Sequence, residues 1–152
     1  MDLVVTGRAT LGAAALAVAV LVVPGWSTFW LGLALLLLLV AVDALRAPNP
    51  RQLGLSREGD TQVRIGESAT TRLRITHTGT RSARGWLRDA WPPSAGAWPA
   101  AVPLDVPAGE RRTVTTELRP TRRGTRMPNR VTVRTLGPWG LAGRQQSTAV
   151  PW

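Results

Sequence analysis

The sequence predicts a membrane protein with an all-β soluble part: a two-helix transmembrane hairpin followed by an immunoglobulin-like antiparallel β-sandwich. Two observations lead to this fold class. Nearly all continuous apolar sequence lies before Arg46, and the chain after it alternates apolar with polar residues between turns that contain Pro or Gly. We expect the hairpin at residues 1–47, a linker at 48–52 and the β-sandwich domain at 53–152.

The second helix of the hairpin is the clearer of the two. Residues 26–45 read WSTFWLGLALLLLLVAVDAL and provide the roughly twenty residues needed to cross a hydrocarbon core of about 30 Å. Asp43 is their only charged residue and lies near the end. We expect its carboxylate at the membrane interface in contact with solvent, with Arg46 and Arg8 as alternative partners.

The first helix is predicted at residues 3–23, where Arg8 interrupts an apolar run but can extend its side chain to the interface. The connection Pro24-Gly25 leaves no room for a soluble loop, so the two helices are expected to be antiparallel neighbours. A cleaved signal peptide is the alternative for the first run. It is disfavoured because no small-x-small cleavage pattern precedes Trp26 and a second apolar run follows at once.

The distribution of charge predicts the orientation of the hairpin. Its two ends carry Arg8 on one helix and Arg46, Arg51 and Arg57 after the other, whereas the connecting turn is uncharged. By the positive-inside rule, both termini and the β domain face the cytoplasm at the cytoplasmic (inner) membrane. From Arg46 onward, eighteen arginines and seven acidic residues give a formal charge of +11. Such a charge attracts anionic lipid or nucleic acid, and a solvated surface of scattered arginines is the alternative interpretation.

Alternating segments predict the strands of the soluble part. After the proline-broken APNPRQ, the segment TTRLRITHT places Leu73, Ile75 and His77 on one face. RTVTTELRP and NRVTVRTL alternate in the same way, and shorter apolar runs occur at LGLS, QVRI, GWLRDAW and AVPLDV. About seven short strands separated by turns are typical of an immunoglobulin-like sandwich.

The residue content does not favour catalysis. His77 is the only histidine, and the chain has no cysteine. The sequence has no Ser-His-Asp arrangement, no cluster of metal ligands and no Gly-rich phosphate loop. We therefore expect a protein that is not an enzyme and that has no catalytic, cofactor or metal site.

Three turn motifs carry a resemblance to a known family. They are PAGE at residues 107–110, RRG at 122–124 and GPWGL at 137–141, each adjoining a predicted strand. Together with the two apolar runs at the start, they resemble the N-terminal half of the bacterial domain-of-unknown-function 58 proteins. In that family an aspartate precedes the Pro-aromatic-Gly-Leu turn. Gly137 stands in its place here, so we expect the turn to lack a side-chain cap.

The resemblance implies a role and a partner. Proteins of that family resemble components of systems that pair a MoxR-type AAA+ ATPase with von Willebrand A proteins, and a von Willebrand A-like domain follows their β domain. No such domain is among these 152 residues, so we expect it in further chain or on a separate protein. The implied function is a non-enzymatic membrane-anchored scaffold or interaction module. We expect its partner contacts at Arg122, Arg123, Arg126, Trp139 and Leu141.

Two other functions stay open. One is a basic domain that binds anionic lipid or nucleic acid at the membrane surface, and the other is a structural element without a partner of its own. Nucleic acid is disfavoured because the sequence has no known reading motif and does not interleave arginine with aromatic residues. Salt dependence distinguishes the scaffold from the basic domain that binds phosphate groups. The affinity of a phosphate binder falls steeply as the salt concentration rises, whereas a scaffold keeps its protein partner at moderate salt.

Overall fold

The computed structural model describes residues 2–128 and 130–151. Within them the chain forms two α-helices, eight β-strands and two short 3-10 helices, the latter at Pro50–Gln52 and Pro93–Ala95. In chain order the longer elements are β1 (Asp2–Val5), α1 (Gly7–Val22), α2 (Trp26–Arg46), β2 (Leu53–Gly59), β3 (Ala69–His77), β4 (Ala83–Ala90), β5 (Val102–Val106), β6 (Arg111–Leu118), β7 (Arg130–Leu136) and β8 (Ala142–Thr148).

Two antiparallel sheets form the body of the protein. The larger sheet has the strand order β1-β8-β7-β4-β5, and the smaller has the order β2-β3-β6. Both contribute to one apolar cluster, whose buried members include Leu73 and Ile75 of β3, Leu87 of β4, and Val131 and Val133 of β7. Side chains from the two sheets therefore share one core.

Most of the alternating segments are strands with the predicted faces. In β3, Leu73, Ile75 and His77 are buried, whereas Arg72 and Arg74 are exposed. The prediction for QVRI is wrong, because residues 62–65 lie in the loop between β2 and β3. Alternation does not predict β8 in AGRQQST, and only the resemblance, in which the Pro-aromatic-Gly-Leu turn lies between the last two strands, implies a strand there. It is a strand because β1 and β7 pair with it on both sides and satisfy its backbone.

The two helices are apolar and largely exposed. α2 is long and apolar enough to cross a membrane by length and composition, and only 11% of its apolar window is buried within the protein. α1 is apolar but shorter, with 16 residues. A Cβ at Gly12 would overlap Leu36, and one at Gly32 would overlap Leu16. The helices therefore contact each other where each has a glycine, since no side chain keeps the backbones apart.

The first helix starts later than predicted. Residues 3–5 of the run at 3–23 belong to β1, and α1 begins at Gly7. Leu3 pairs with Arg144 and Val5 with Ala142 of β8. A short apolar run has no period that distinguishes helix from strand, so pairing with β8 decides its structure. The chain consequently passes from the sheet into α1 with only Thr6 between them.

The segment predicted as a linker, residues 48–52, packs against the larger sheet. Pro48 and Pro50 are buried, and the Thr135 hydroxyl donates a hydrogen bond of 2.6 Å to the Pro48 carbonyl. Asn49 caps the following 3-10 helix by accepting from the Arg51 N–H at 3.0 Å. A proline-rich segment often extends as a spacer in solvent, but here the two buried proline rings pack against the sheet. α2 is thus connected to β2 through packed residues.

A buried ion pair connects the two sheets. Arg57 of β2 and Asp89 of β4 are 2.6 Å apart, Nη2 to Oδ1, and Asp89 also accepts from Trp91 Nε1 at 2.8 Å. Arg57 Nη1 donates to the Val150 carbonyl at 2.8 Å, which attaches the C-terminal segment to the core. Burial raises the pKa of Asp89 and lowers the pKa of Arg57, while the attraction between the two charges opposes both shifts.

We expect Arg57→Met to lower the free energy of unfolding by about 3 to 5 kcal/mol, because the Asp89 carboxylate would stay buried without its cation. Adding Asp89→Leu removes both charges and should recover part of the loss. Arg74→Met is the matched control, since Arg74 and its partner Glu58 are about half exposed. Denaturant unfolding measures all three variants. A loss for Arg57→Met no larger than that for Arg74→Met would contradict this role.

Candidate functional site

The turn between β7 and β8 closes around the carboxylate of Asp43. This residue lies in the last turn of α2 and is inaccessible to solvent. Its Oδ1 accepts from the Trp139 N–H at 2.8 Å, and its Oδ2 accepts from the N–H groups of Leu141 at 2.7 Å and Ala142 at 2.9 Å. We call this arrangement the Asp43 clamp. Three backbone donors on one buried carboxylate make strong, directional hydrogen bonds.

The expectation of a solvent-exposed Asp43 is therefore wrong. The carboxylate is fully buried, and the amides that bind it lie 96 to 99 residues further along the chain. The reason is geometric: α2 ends directly against the β7–β8 turn, so its last-turn carboxylate meets N–H groups that would otherwise be buried without an acceptor.

The turn has a cap, contrary to the expectation drawn from Gly137. A Cβ at residue 137 would overlap the Cγ, Oδ1 and main-chain oxygen of Asp43. Glycine at this position makes room for a carboxylate that caps the turn from another element. Gly140 N–H donates to the Gly137 carbonyl at 3.0 Å, and Gly140 has a φ of +67°, a left-handed conformation that glycine adopts without strain.

The start of α1 holds the other side of the same turn. The Thr6 hydroxyl donates to the carbonyls of Gly140 and Leu141, and the Thr6 N–H donates to the Leu141 carbonyl at 2.9 Å. Arg8 Nη1 donates to the Trp139 carbonyl at 3.3 Å. Both helices are thus hydrogen-bonded to one turn, which fixes the direction in which they leave the sheet.

Four arginines surround the clamp, and we call them the arginine collar: Arg8, Arg46, Arg81 and Arg144. The guanidinium carbon of Arg46 lies 5.8 Å from the centroid of the Trp139 ring, within the range of a cation–π contact. Arg144 Nε donates to the Ala44 carbonyl at 3.2 Å, and Arg81 Nη1 donates to the Arg46 carbonyl at 3.4 Å. Arg144 and Arg81 thus bind carbonyls in the last turn of α2, which have no partner within the helix.

A groove of about 850 Å³ lies between two loops that follow β2 and β6. We call it the distal groove and define it by its exposed apolar residues and its arginines: Val63, Ile65, Met127, Arg64, Arg122, Arg123 and Arg126. Its base is the half-buried Trp91 with a small buried cluster of Ala69, Ala95 and Leu118. The loop after β6 is held at its start by Thr121, whose N–H donates to the Ser94 carbonyl at 3.1 Å.

The five predicted contact residues fall into two separate groups. β7 begins at Arg130, after the loop that carries Arg122, Arg123 and Arg126, and ends at Leu136, beside the turn that carries Trp139 and Leu141. Seven residues of strand span about 20 Å at roughly 3.4 Å per residue. The three arginines therefore line the distal groove, whereas Trp139 and Leu141 belong to the clamp at the helix end.

Trp139 and Leu141 contribute mainly through their backbone, which sequence reasoning did not foresee. Their N–H groups bind Asp43, and Trp139 remains 44% exposed, with Arg46 over its ring. Sequence reasoning also missed Asp43 itself, as well as Val63, Ile65 and Met127 in the groove. Two features of the sequence together could have indicated Asp43. It is the single carboxylate at the end of an apolar helix, and glycine stands at position 137, where the resembling family has aspartate.

Neither histidine nor cysteine is among the described residues of the clamp and the groove. Residues 2–128 and 130–151 contain no group of three or more His, Asp or Glu residues placed to hold a metal ion. His77 is buried, and its Nδ1 lies 3.1 Å from the Pro107 carbonyl. Comparison of the chain with protein-family models, with curated proteins and with solved structures gives no match. A functional proposal therefore rests on the clamp, the collar and the groove.

Proposed function

We propose that this chain is a non-enzymatic, membrane-anchored scaffold. In this proposal α1 and α2 cross the cytoplasmic membrane as a hairpin, and the two sheets form an immunoglobulin-like sandwich on its cytoplasmic side. The 21 residues of α2 extend about 32 Å and the 16 residues of α1 about 24 Å, at 1.5 Å per residue. α1 therefore needs a contribution from its flanking residues or a local thinning of the bilayer.

The arginine collar supports the cytoplasmic orientation. Its members lie at the ends of the helices that adjoin the sheets, whereas the connection between the helices at residues 23–25 is uncharged. Arginine is enriched on the cytoplasmic side of membrane-spanning helices.

The observation that carries the proposal is the Asp43 clamp. A domain on a flexible tether needs no buried carboxylate between the anchor and its body. Here the end of α2 and the start of α1 both bind the β7–β8 turn, and residues 48–52 pack against the sheet. A domain joined in this way keeps one orientation relative to its anchor, which is the property that a scaffold requires.

We also propose a cytoplasmic protein partner drawn from the assembly that the resemblance implies, a MoxR-type ATPase together with a von Willebrand A protein. The distal groove supports a protein partner, because contiguous exposed apolar side chains commonly mark protein-interaction sites. It lies at the end of the sheets opposite the helices, where a partner in the cytoplasm would reach it.

Co-purification tests this proposal. The full chain, extracted in mild detergent, is co-expressed with the MoxR-type ATPase and the von Willebrand A protein encoded in the same genome. We expect a complex with at least one of them that persists at moderate salt. Failure of both proteins to co-purify, from detergent and from nanodiscs alike, would contradict the scaffold function.

The arginine collar favours a second candidate function, the binding of anionic lipid headgroups. Each arginine near an anionic bilayer contributes about 1 kcal/mol, and the collar has four. Retained lipid can be counted by native mass spectrometry. We expect Arg46→Gln with Arg81→Gln to retain less phosphatidylglycerol than the unchanged chain if lipid binding is the function, whereas a protein-binding scaffold keeps its partner complex in this variant.

A further inference from the structure

We propose that the distal groove binds an acidic segment of a partner protein that also carries apolar side chains. This inference rests on the proposed scaffold function and deepens it, because it assigns the groove as the contact and gives the chemistry of the partner.

The apolar part of the groove lacks a cover within the described chain. Val63 is 36% exposed, Ile65 53% and Met127 67%, although all three are large apolar residues. They line the same groove as the buried Ala95 and Leu118, so a partner side chain that enters between the loops would meet apolar surface from both loops and from the base. Covering such surface is a main source of binding free energy.

The loops that form the groove are fixed at their bases. Asp60 holds the first loop, since its N–H donates to the Thr70 carbonyl at 3.1 Å and its carboxylate accepts from the Thr70 N–H at 2.8 Å. Thr121 holds the second loop through its hydrogen bond to the Ser94 carbonyl. A groove whose walls are attached in this way loses less conformational freedom when a ligand binds.

The charge of the groove selects an anionic partner. Four arginines line it, and the single acidic lining residue in the described chain is Asp60, whose carboxylate is already bound to the Thr70 N–H. Arg126 Nη2 donates to the Arg123 carbonyl at 3.2 Å, and its buried Nε has no hydrogen-bond partner among the described residues. Carboxylates are the side chains that pair with guanidinium groups in a bidentate way.

Other occupants fit less well. A second copy of this chain, with a net charge of +10, would be repelled. Lipid of the same membrane is excluded by distance, because the length of β7 separates the groove from the helix ends by about 20 Å and charges are screened over about 8 Å at physiological salt. Proteins that bind single-stranded nucleic acid stack bases on exposed aromatic rings, whereas the exposed apolar residues of the groove are aliphatic or Met and its tryptophan, Trp91, is half-buried at the base.

Fluorescence anisotropy with the full chain in phosphatidylcholine nanodiscs tests the groove. The probe is a fluorescein-labelled peptide that alternates glutamate with leucine, and the reference is the same peptide with lysine in place of glutamate. One variant carries Arg122→Glu, Arg123→Glu and Arg126→Glu. Its matched control carries Arg72→Glu, Arg111→Glu and Arg112→Glu, three exposed arginines of β3 and β6, so that the change in net charge is the same.

We expect the acidic peptide to bind the unchanged chain and the lysine peptide not to bind. The groove variant should bind the acidic peptide at least about tenfold more weakly, and the control within about threefold of the unchanged chain. Ile65→Ser with Met127→Ser removes exposed apolar surface without touching the core and should also weaken binding.

Equal affinity of the groove variant and its control would overturn the proposal, as would unchanged affinity of the Ile65→Ser, Met127→Ser variant. Failure of the groove assignment can be distinguished from failure of the scaffold function. If the peptide does not bind while the ATPase or von Willebrand A complex forms, the groove assignment fails and the scaffold stands. If the peptide binds while no complex forms, the scaffold function fails and the groove remains a site for acidic peptides.

Discussion

Replacing Asp43 with alanine should lower the free energy of unfolding of the sheets by about 3 kcal/mol, which for a chain of this size lowers Tm by about 6 to 12 °C. The substitution leaves the N–H groups of Trp139, Leu141 and Ala142 without the acceptor that binds them at 2.7 to 2.9 Å. Each unsatisfied buried donor costs about 1 to 3 kcal/mol, and water entering at the exposed side of the turn offsets part of that sum. Thermal unfolding in nanodiscs measures the change.

Asp105→Ala is the matched control for this prediction. Asp105 is also a carboxylate near a β-strand edge, but its side chain is 60% exposed and its ion pair with Arg84 is long, at 3.7 Å. Exposed pairs of this kind contribute little, so Tm should move by no more than a degree or two. Hydrogen exchange adds a local readout, since the three clamp amides should lose protection in Asp43→Ala only. Equal effects of the two substitutions would contradict the clamp.

The second large effect is expected at Gly137, the residue that makes room for Asp43. Gly137→Asp should destabilise the fold, because the new Cβ overlaps Asp43 and a second carboxylate enters the same buried space. In the double variant with Asp43→Ala, the new aspartate can accept from the N–H of Trp139, two residues on, as aspartates do in Asx-turns. The double variant should therefore lose less free energy of unfolding than the two single variants lose together, by more than about 1 kcal/mol.

Alanine at position 137 tests whether the carboxylate of the new aspartate, rather than the loss of the Asp43 carboxylate, stabilises the double variant. The variant Gly137→Ala with Asp43→Ala removes the overlap with the Asp43 carboxylate, keeps the contact with the main-chain oxygen of residue 43 as every side chain at 137 does, and supplies no carboxylate, so it should be less stable than Gly137→Asp with Asp43→Ala. Denaturant unfolding of the complete double-mutant cycle gives both comparisons. Equal stability of the two double variants would mean that the turn does not need a carboxylate.

The strands were predictable where the sequence alternates over a sufficient length. β3 and β7 have Leu73, Ile75, Val131 and Val133 at every second position, and all four are buried. The same pattern misleads in residues 62–65, where the apolar Val63 and Ile65 line a loop. Alternation could not predict β1 or β8, because the two ends of the chain pair with each other there and neither segment has a distinctive period. For β8 only the resemblance implied a strand, since it places the GPWGL turn between the last two strands.

The site was less predictable than the strands because tertiary contacts create it. The arginines at 122, 123 and 126 were identified as contact residues, but the apolar wall opposite them comes from a loop about sixty residues earlier in the sequence. The Asp43 clamp joins residues that are 96 to 99 positions apart. No local pattern encodes such a distance, although the glycine at 137 is a sign that another group occupies the place of a side chain.

The most direct test of the Asp43 clamp is a measurement of the distance between α2 and the larger sheet. The chain has no cysteine, so spin labels can be attached at Ser27→Cys near the start of α2 and at Arg88→Cys on β4, both exposed positions. Pulsed electron paramagnetic resonance in nanodiscs then gives the distribution of distances between them. We expect one narrow distribution that broadens markedly when Asp43→Ala is added. A broad distribution in the unchanged chain, or a width that Asp43→Ala leaves unaltered, would contradict a sheet domain held to its helices by the Asp43 clamp.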